Sequence, residues 1–147
     1  MKKYQRILCP IDFSKNCQLA AQRASELARH YDAGLTLLHV VEYFPGQRSN
    51  DWIEPEGSDP QAFQEEKARG LLAEFVDQLG SEEWHQEVRF TPHSATHEIT
   101  RFAEENNIDL IVVASHGRHG ITVLLGSTAN GLVQRAPCDI LVVRASS

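Results

Sequence analysis

Short apolar runs alternate with longer segments of helical periodicity along this chain, and that alternation constrains its fold more than any other feature. The runs are continuous, which is typical of strands buried on both faces of a parallel sheet. Five strands are predicted, at residues 6–9, 35–41, 88–90, 109–114 and 139–143. Four helices are predicted between them, at residues 16–30, at 60–79, from a cap at Ser94 or Thr96 onward, and at 127–135.

This order of elements predicts an α/β fold with an open, parallel five-stranded sheet and helices on both faces. Right-handed crossovers leave few topologies, and the strand order 3-2-1-4-5 is favoured among them. A length of 147 residues with 41% hydrophobic side chains suits one domain over residues 1–147 with one sizeable core.

The net charge and the composition limit the classes of binding partner and the cellular location that can be expected. A formal net charge of −6 argues against binding to nucleic acid or to an anionic membrane surface. No apolar run approaches the ~20 residues of a membrane span, and no signal peptide follows Met1, so a cytoplasmic location is expected. Cys9, Cys17 and Cys138 form no CxxC pair, which favours reduced thiols over a disulfide or zinc framework.

The predicted topology locates a site at one edge of the sheet. Ligands of open parallel sheets bind outside the C-terminal ends of the strands, at the point where the strand order reverses. In the order 3-2-1-4-5 that point lies between strands 1 and 4. The candidate residues there are Pro10, Ile11 and Asp12 after strand 1, and Ala114, Ser115, His116 and Gly117 after strand 4.

A glycine-spaced loop follows strand 4 and ends with Gly126, Ser127 and Thr128 at the start of the last predicted helix. A helix N-terminus presents unpaired N–H groups and favours a phosphate. The hydroxyl of Ser127 or Thr128 either donates to a phosphate oxygen or caps the helix, and Arg118 either offsets phosphate charge or points to solvent. The alternative is an ordinary capped loop. Neither GxxxxGK[ST] nor GxGxxG occurs, so ATPase or dinucleotide chemistry by those routes is unsupported.

Four segments of the sequence resemble the universal stress protein family over nearly the full length of the chain. They read "ILCPIDFS", "LLHVVE", "IDLIVVASHGRHG" and "LLGSTANGLVQRAPCDILVVR". The resemblance implies a Rossmann-like fold of the adenine nucleotide alpha hydrolase-like type. The ATP-binding branch of the family has a loop of Gly, two residues, Gly, nine residues and Gly-Ser/Thr. Here the matching positions are Ala114, Gly117 and Gly126-Ser127, so alanine replaces one glycine, and residues 118–125 are one fewer than expected.

The resemblance also implies a ligand, a partner and a role. The ligand is ATP or AMP, with or without Mg²⁺; Asp12 lies near the ribose or a phosphate-bound metal, and the Val40 backbone lies beside adenine. The partner is a second copy, joined through the apolar edge strand from Ile140 to Val143, and the role is in stress response. The alternatives are a nucleotide-free dimeric interaction protein and, behind both, a slow ATP-hydrolysing or self-phosphorylating enzyme, for which no catalytic set is evident.

Three histidines and one long segment complete the predictions. His93 and His97 have the spacing of a metal pair on one helix face, although solvated polar side chains are the favoured interpretation. His39 is expected to be a hydrogen-bonded core histidine. Residues 42–59 follow strand 2 on the ligand edge of the sheet and are predicted to be a mobile lid over the adenine end.

Overall fold

The computed structural model describes residues 3–43, 59–80, 83–116 and 125–144. Within these ranges, strands and helices alternate as the sequence predicts. The elements in chain order are β1 (Arg6–Pro10), α1 (Lys15–Tyr31), β2 (Gly34–Glu42), α2 (Pro60–Gln78), β3 (His85–Thr91), α3 (Ala95–Glu105), β4 (Leu110–Ala114), α4 (Ser127–Arg135) and β5 (Asp139–Val143).

The five strands form one parallel sheet in the order β3-β2-β1-β4-β5, which confirms the predicted topology. The two ladders that β1 makes differ in length. With β2, β1 is paired from its first residue to its last, whereas with β4 the described register consists of Ile7↔Leu110 and Leu8↔Ile111. The pairing between β1 and β4 therefore stops before either strand ends, and a crevice begins at the point where the strand order reverses.

Alternate residues of the strands pack on opposite faces of the sheet, so the core has two halves. Ile7 and Cys9 of β1 belong to the half beneath α1 and α2, whereas Leu8 belongs to the half beneath α3 and α4. Helices therefore cover both faces, as predicted. The largest fully buried side chains include Leu37, Leu38, Leu72, Ile99, Ile111 and Leu132.

Three of the four described helices begin with a side chain that accepts a hydrogen bond from the first turn. Ser14, Asp59 and Ser94 have this role for α1, α2 and α3. Ser94 is thus the cap of α3, and the alternative of Thr96 is wrong. The fourth helix, α4, has Gly126 at its N-cap position, and this residue supplies no side-chain cap.

The strand boundaries differ from the predicted ones by one residue in β1, β2 and β4, and by up to three residues in β3. β3 begins at His85, not at residue 88, because an edge strand takes polar residues that a search for apolar runs passes over. β4 begins at Leu110, and the carboxylate of the preceding Asp109 accepts bonds from the N–H groups of Gln5 (2.9 Å) and Arg6 (3.0 Å) at the start of β1. No helix in the described ranges combines the length and apolar character needed to cross a bilayer.

Candidate functional site

The turn between β1 and α1 forms one wall of the crevice. Asp12 Oδ1 accepts a hydrogen bond from the Ser14 N–H at 3.0 Å, which closes a tight turn around Phe13. Phe13 has a φ of 63°, in the left-handed region that bulky side chains rarely adopt. The Ser14 hydroxyl then accepts from the Cys17 N–H at 3.2 Å and caps α1. The carboxylate of Asp12 is therefore built into the turn and held at the C-terminal edge of β1.

Two thiols pack beneath this turn and stay protonated near neutral pH. Burial raises the pKa of Cys17 to about 11 and that of Cys9 well above its ordinary value. The Cys17 thiol donates to the Ser14 carbonyl oxygen at 3.1 Å. Both cysteines are free in the structure, and their raised pKa values disfavour the thiolate form that a catalytic nucleophile needs.

β2 holds the other side of the turn. The Ile11 N–H donates to the Leu38 carbonyl at 2.8 Å, one residue beyond the β1–β2 ladder. His39 Nδ1 lies 2.7 Å from the Ile11 carbonyl oxygen, and the His39 ring centroid lies 4.5 Å from that of Phe13. The prediction that His39 is hydrogen-bonded is confirmed. Its contact with the candidate site could not be seen in the sequence.

The opposite wall is formed where β4 meets α4. Buried Ser115 follows β4 directly; its N–H donates to the Val143 carbonyl at 2.8 Å, and its carbonyl accepts from the Gly126 N–H at 2.7 Å. The Ser115 hydroxyl and His116 Nδ1 are 3.2 Å apart. His116 Nε2 is buried and has no hydrogen-bond partner among the residues that the structure describes. The bond between Gly126 and Ser115 places the start of α4 at the end of β4.

The N-terminus of α4 presents backbone N–H groups without a side-chain cap. Gly126 occupies the cap position, and Ser127 and Thr128 are the first two residues inside the helix, so the idea that either hydroxyl caps the helix is wrong. The first bond within the helix runs from the Asn130 N–H to the Gly126 carbonyl at 2.9 Å. The N–H groups that precede Asn130 point along the helix axis, where the helix dipole is positive.

The residues predicted from the sequence fall into three groups in the structure. One group lies at the C-terminal ends of β1 and β4 and at the start of α4, and comprises Pro10, Ile11, Asp12, Ala114, Ser115, His116, Gly126, Ser127 and Thr128. Val40 lies on β2, where its partly buried side chain packs against the core half beneath α3 and α4. Gly117 and Arg118 lie outside the described residues, as do residues 44–58 of the predicted lid.

A pair of histidines and a cavity lie away from the crevice and are not part of the candidate site. The rings of His93 and His97 are 4.5 Å apart, but the described residues contain no set of three side chains suited to hold a metal ion. A cavity of about 370 Å³ lies at the opposite edge of the sheet, where Arg6, Gly34 and Asn106 line it near the N-terminal ends of the strands. The reversal of strand order opens at the other edge, so this cavity does not mark the candidate site.

Comparison with known proteins gives consistent matches. The sequence pattern of the universal stress protein family matches residues 3–144. Universal stress protein A homolog 1 of Coxiella burnetii is 36% identical over 142 residues, which cover 95% of this chain and 96% of that protein. The structure of universal stress protein UspA from Lactobacillus plantarum superposes with a TM-score of 0.70 and 26% identity, over 98% of this chain and 100% of that one. A universal stress protein in complex with cAMP has the same fold, with a TM-score of 0.69 and 24% identity, over 99% of this chain and 100% of that one.

Proposed function

Because the chain belongs to the universal stress protein family, we propose that it binds an adenine nucleotide, ATP or AMP, in the crevice between β1 and β4. The observation that carries the proposal is the N-terminus of α4, which lies beside Ser115 at the end of β4 and has no side-chain cap. A related protein of the same fold was solved in complex with cAMP, which supports the choice of an adenine nucleotide. A cytoplasmic role in the response to stress completes the proposal.

The phosphates belong at the start of α4. The N–H groups of the first turn, which receive no side-chain cap from Gly126, and the positive end of the helix dipole both favour an anion there. Ser127 is exposed and Thr128 is half-buried, so both are placed to donate a hydroxyl hydrogen to a phosphate oxygen. Gly126 carries no Cβ, and the backbone can therefore approach the phosphate closely.

Asp12 suits a different part of the ligand, because a carboxylate repels phosphate oxygens. Its oxygens accept hydrogen bonds from ribose hydroxyl groups, or coordinate Mg²⁺, which prefers carboxylate and phosphate oxygens. A bound Mg²⁺ supplies positive charge that offsets the phosphates. The adenine then extends along β2, beside the Val40 backbone, on the side of Asp12 that faces away from α4.

Titration calorimetry with ATP, AMP and GTP tests the proposal. We expect a dissociation constant in the micromolar range or weaker, about −8 kcal/mol, because of Ala114 and the shortened loop. Ser127→Ala removes one hydrogen bond to a charged group, and affinity should fall roughly 10- to 150-fold, or about 1.5–3 kcal/mol. Gly126→Val should weaken binding by placing a branched side chain at the phosphate position.

Gln134→Ala is the matched control for these variants. Gln134 is exposed near the far end of α4, where its side chain bonds to Asn130, so the substitution leaves the start of the helix unchanged. Its affinity should equal that of the unmodified protein. Absence of binding by any adenine nucleotide at millimolar concentration would instead assign the protein to the nucleotide-free dimeric branch.

We propose further that two copies associate through β5, from Ile140 to Val143. β5 is an edge strand that pairs with β4 on one side, so its outer N–H and C=O groups have no strand partner in the described residues. Leu141 of β5 and Val133 of the adjacent α4 are 36% and 52% exposed. Apolar side chains beside an unpaired strand edge suit a self-complementary contact with twofold symmetry.

Sedimentation distinguishes this interface from others on the surface. Leu141→Lys places a charge on the proposed interface and should shift the protein to monomer. Leu19→Lys is the matched control, because Leu19 on α1 is also a leucine with 36% exposure. The proposal is wrong if the unmodified protein sediments as a monomer at micromolar concentration, or if both variants remain dimeric.

A further inference from the structure

His39 reaches from β2 into the β1–α1 turn and contacts the residues on both sides of Asp12. Its Nδ1 lies 2.7 Å from the carbonyl oxygen of Ile11, which belongs to the peptide group joining Ile11 to Asp12. Its ring packs against Phe13 with the centroids 4.5 Å apart and the planes at 45°. One side chain therefore restrains the backbone just before Asp12 and the side chain just after it.

The hydrogen bond to Ile11 has one possible direction. A carbonyl oxygen accepts and cannot donate, so His39 Nδ1 carries the hydrogen in either protonation state of the ring. The bond lies beyond Pro10↔Leu38, the last residue pair of the β1–β2 ladder. Because the Ile11 N–H also donates to Leu38 at 2.8 Å, β2 holds both backbone groups of Ile11.

The contact with Phe13 supports an unfavourable backbone conformation. A φ of 63° is costly for an aromatic residue and persists when the surroundings fix it. The Phe13 ring lies between His39 and Phe75 of α2, whose centroid is 6.3 Å away. Holding Phe13 in this conformation keeps the Ser14 N–H on Asp12 Oδ1 at 3.0 Å, and so fixes the direction of the carboxylate.

We propose that His39 is a positioning residue of the nucleotide site: by bonding to Ile11 and packing on Phe13, it orients the Asp12 carboxylate toward the ligand. The inference rests on the proposed function, since it assigns a ligand to Asp12. His39 itself does not contact the nucleotide and acts through the turn.

Two substitutions separate the hydrogen bond from the packing. In His39→Asn the side-chain nitrogen is as many bonds from Cα as Nδ1 is in histidine, so the donor to Ile11 is kept and the ring is lost. In His39→Phe the ring is kept and the donor is lost. We expect nucleotide affinity to fall about threefold for His39→Asn, which loses the packing on Phe13, and about tenfold for His39→Phe, which loses the hydrogen bond to Ile11.

A second measurement follows the turn without any ligand. Amide hydrogen exchange of Ser14 reports whether its N–H still donates to Asp12; it should quicken in both variants, and more in His39→Phe than in His39→Asn. Ile99→Val is the control for stability, since it removes one buried methylene in the other half of the core and should alter neither affinity nor Ser14 exchange.

Three results would overturn the inference. The first is a His39→Phe variant with unchanged affinity and unchanged Ser14 exchange. The second is an equal loss of affinity in His39→Phe and Ile99→Val, which would make the effect one of general stability. The third is Ser14 exchange that does not distinguish His39→Asn from His39→Phe. If the unmodified protein binds no nucleotide, the proposed function fails, and Ser14 exchange alone decides whether His39 positions the turn.

Discussion

Two helical glycines in this protein should respond in opposite ways to the same substitution by alanine. Gly70 lies within α2, and a Cβ added there would meet no atom within 4 Å. Gly131 lies within α4, and a Cβ there would come within 2.8 Å of Thr96 Cγ2 and 2.9 Å of Thr96 Oγ1 on α3. The pair separates the intrinsic preference for helix from the packing between helices.

The expected magnitudes follow from these distances. Alanine is favoured over glycine in a helix interior by about 0.8–1 kcal/mol. Gly70→Ala should therefore raise the free energy of unfolding by about that amount. Gly131→Ala has the same intrinsic gain, but contacts under 3 Å force α3 and α4 apart, and overpacking costs about 1–3 kcal/mol. The net expectation is a loss of about 1 kcal/mol.

Thr96 is the specific source of that loss, and a double substitution tests it. Rotation about the Cα–Cβ bond of Thr96 replaces one branch with the other beside residue 131. Thr96 therefore cannot move both its methyl and its hydroxyl away from an added Cβ there. Thr96→Ala removes both branches and leaves the Cβ at 3.3 Å, which a small shift accommodates. In the Thr96→Ala background, Gly131→Ala should no longer destabilise, with a coupling energy of about 1–2 kcal/mol.

Urea unfolding followed by circular dichroism measures all five proteins, namely the unmodified chain, the three single variants and the double variant. The slope of the free energy of unfolding against urea concentration should be the same for all five proteins, so that their unfolding midpoints can be compared directly. A Gly131→Ala variant stabilised as much as Gly70→Ala would refute the close approach of the two helices. Additive effects of Thr96→Ala and Gly131→Ala would refute the assignment of the clash to Thr96.

Two further predictions concern titrating groups. The hydroxyl of Tyr4 donates to Asp139 at 2.7 Å, and this bond raises its pKa from 10.0 to about 12, so its contribution to stability is complete below pH 10 and is lost as pH rises through 12. The difference in urea midpoint between the unmodified protein and Tyr4→Phe should shrink between pH 8 and pH 11; a constant difference would contradict this. Burial raises the thiol pKa values of Cys138 and Cys17 to about 11 and that of Cys9 well above its ordinary value. Alkylation at pH 8 should therefore be slow, reach half-buried Cys138 first, and become equal for all three in urea.

The sequence was sufficient to predict the fold because the relevant signals are local and strong. Continuous apolar runs mark the inner strands, and the handedness of crossovers restricts the order of strands to few choices. The prediction of strand bounds was least accurate for the solvent-exposed edge strand β3. Five of the seven residues of β3 are polar because the strand lies at the sheet edge, and its pairing with β2 decides its length.

The candidate site was predictable in place but less so in geometry. The C-terminal ends of β1 and β4, with Asp12, follow from topology, and Ser127 follows from the predicted helix start. The role of Asp12 beside the ribose or a metal follows from the resemblance to a family. The left-handed conformation of Phe13 has no local signal, since an aromatic residue rarely adopts it alone. It depends on His39 and Phe75, which are far away in the sequence and meet Phe13 only in the folded chain.

The two walls of the crevice are fixed in different ways, and this bears on how the site can vary. Local hydrogen bonds from Ser14 and the contact with His39 hold the β1–α1 turn, so its shape depends on a few residues close to Asp12. The start of α4 has no side-chain cap, and its position depends on the Gly126–Ser115 bond together with the packing of the helix body on α3. Gly131 faces α3 five residues, or about 1.4 turns, after Gly126, so a side chain there would displace the N–H groups proposed to bind phosphate. Changes at the contact between α3 and α4 can therefore adjust phosphate binding without touching the ligand, whereas changes in the turn act on Asp12 directly.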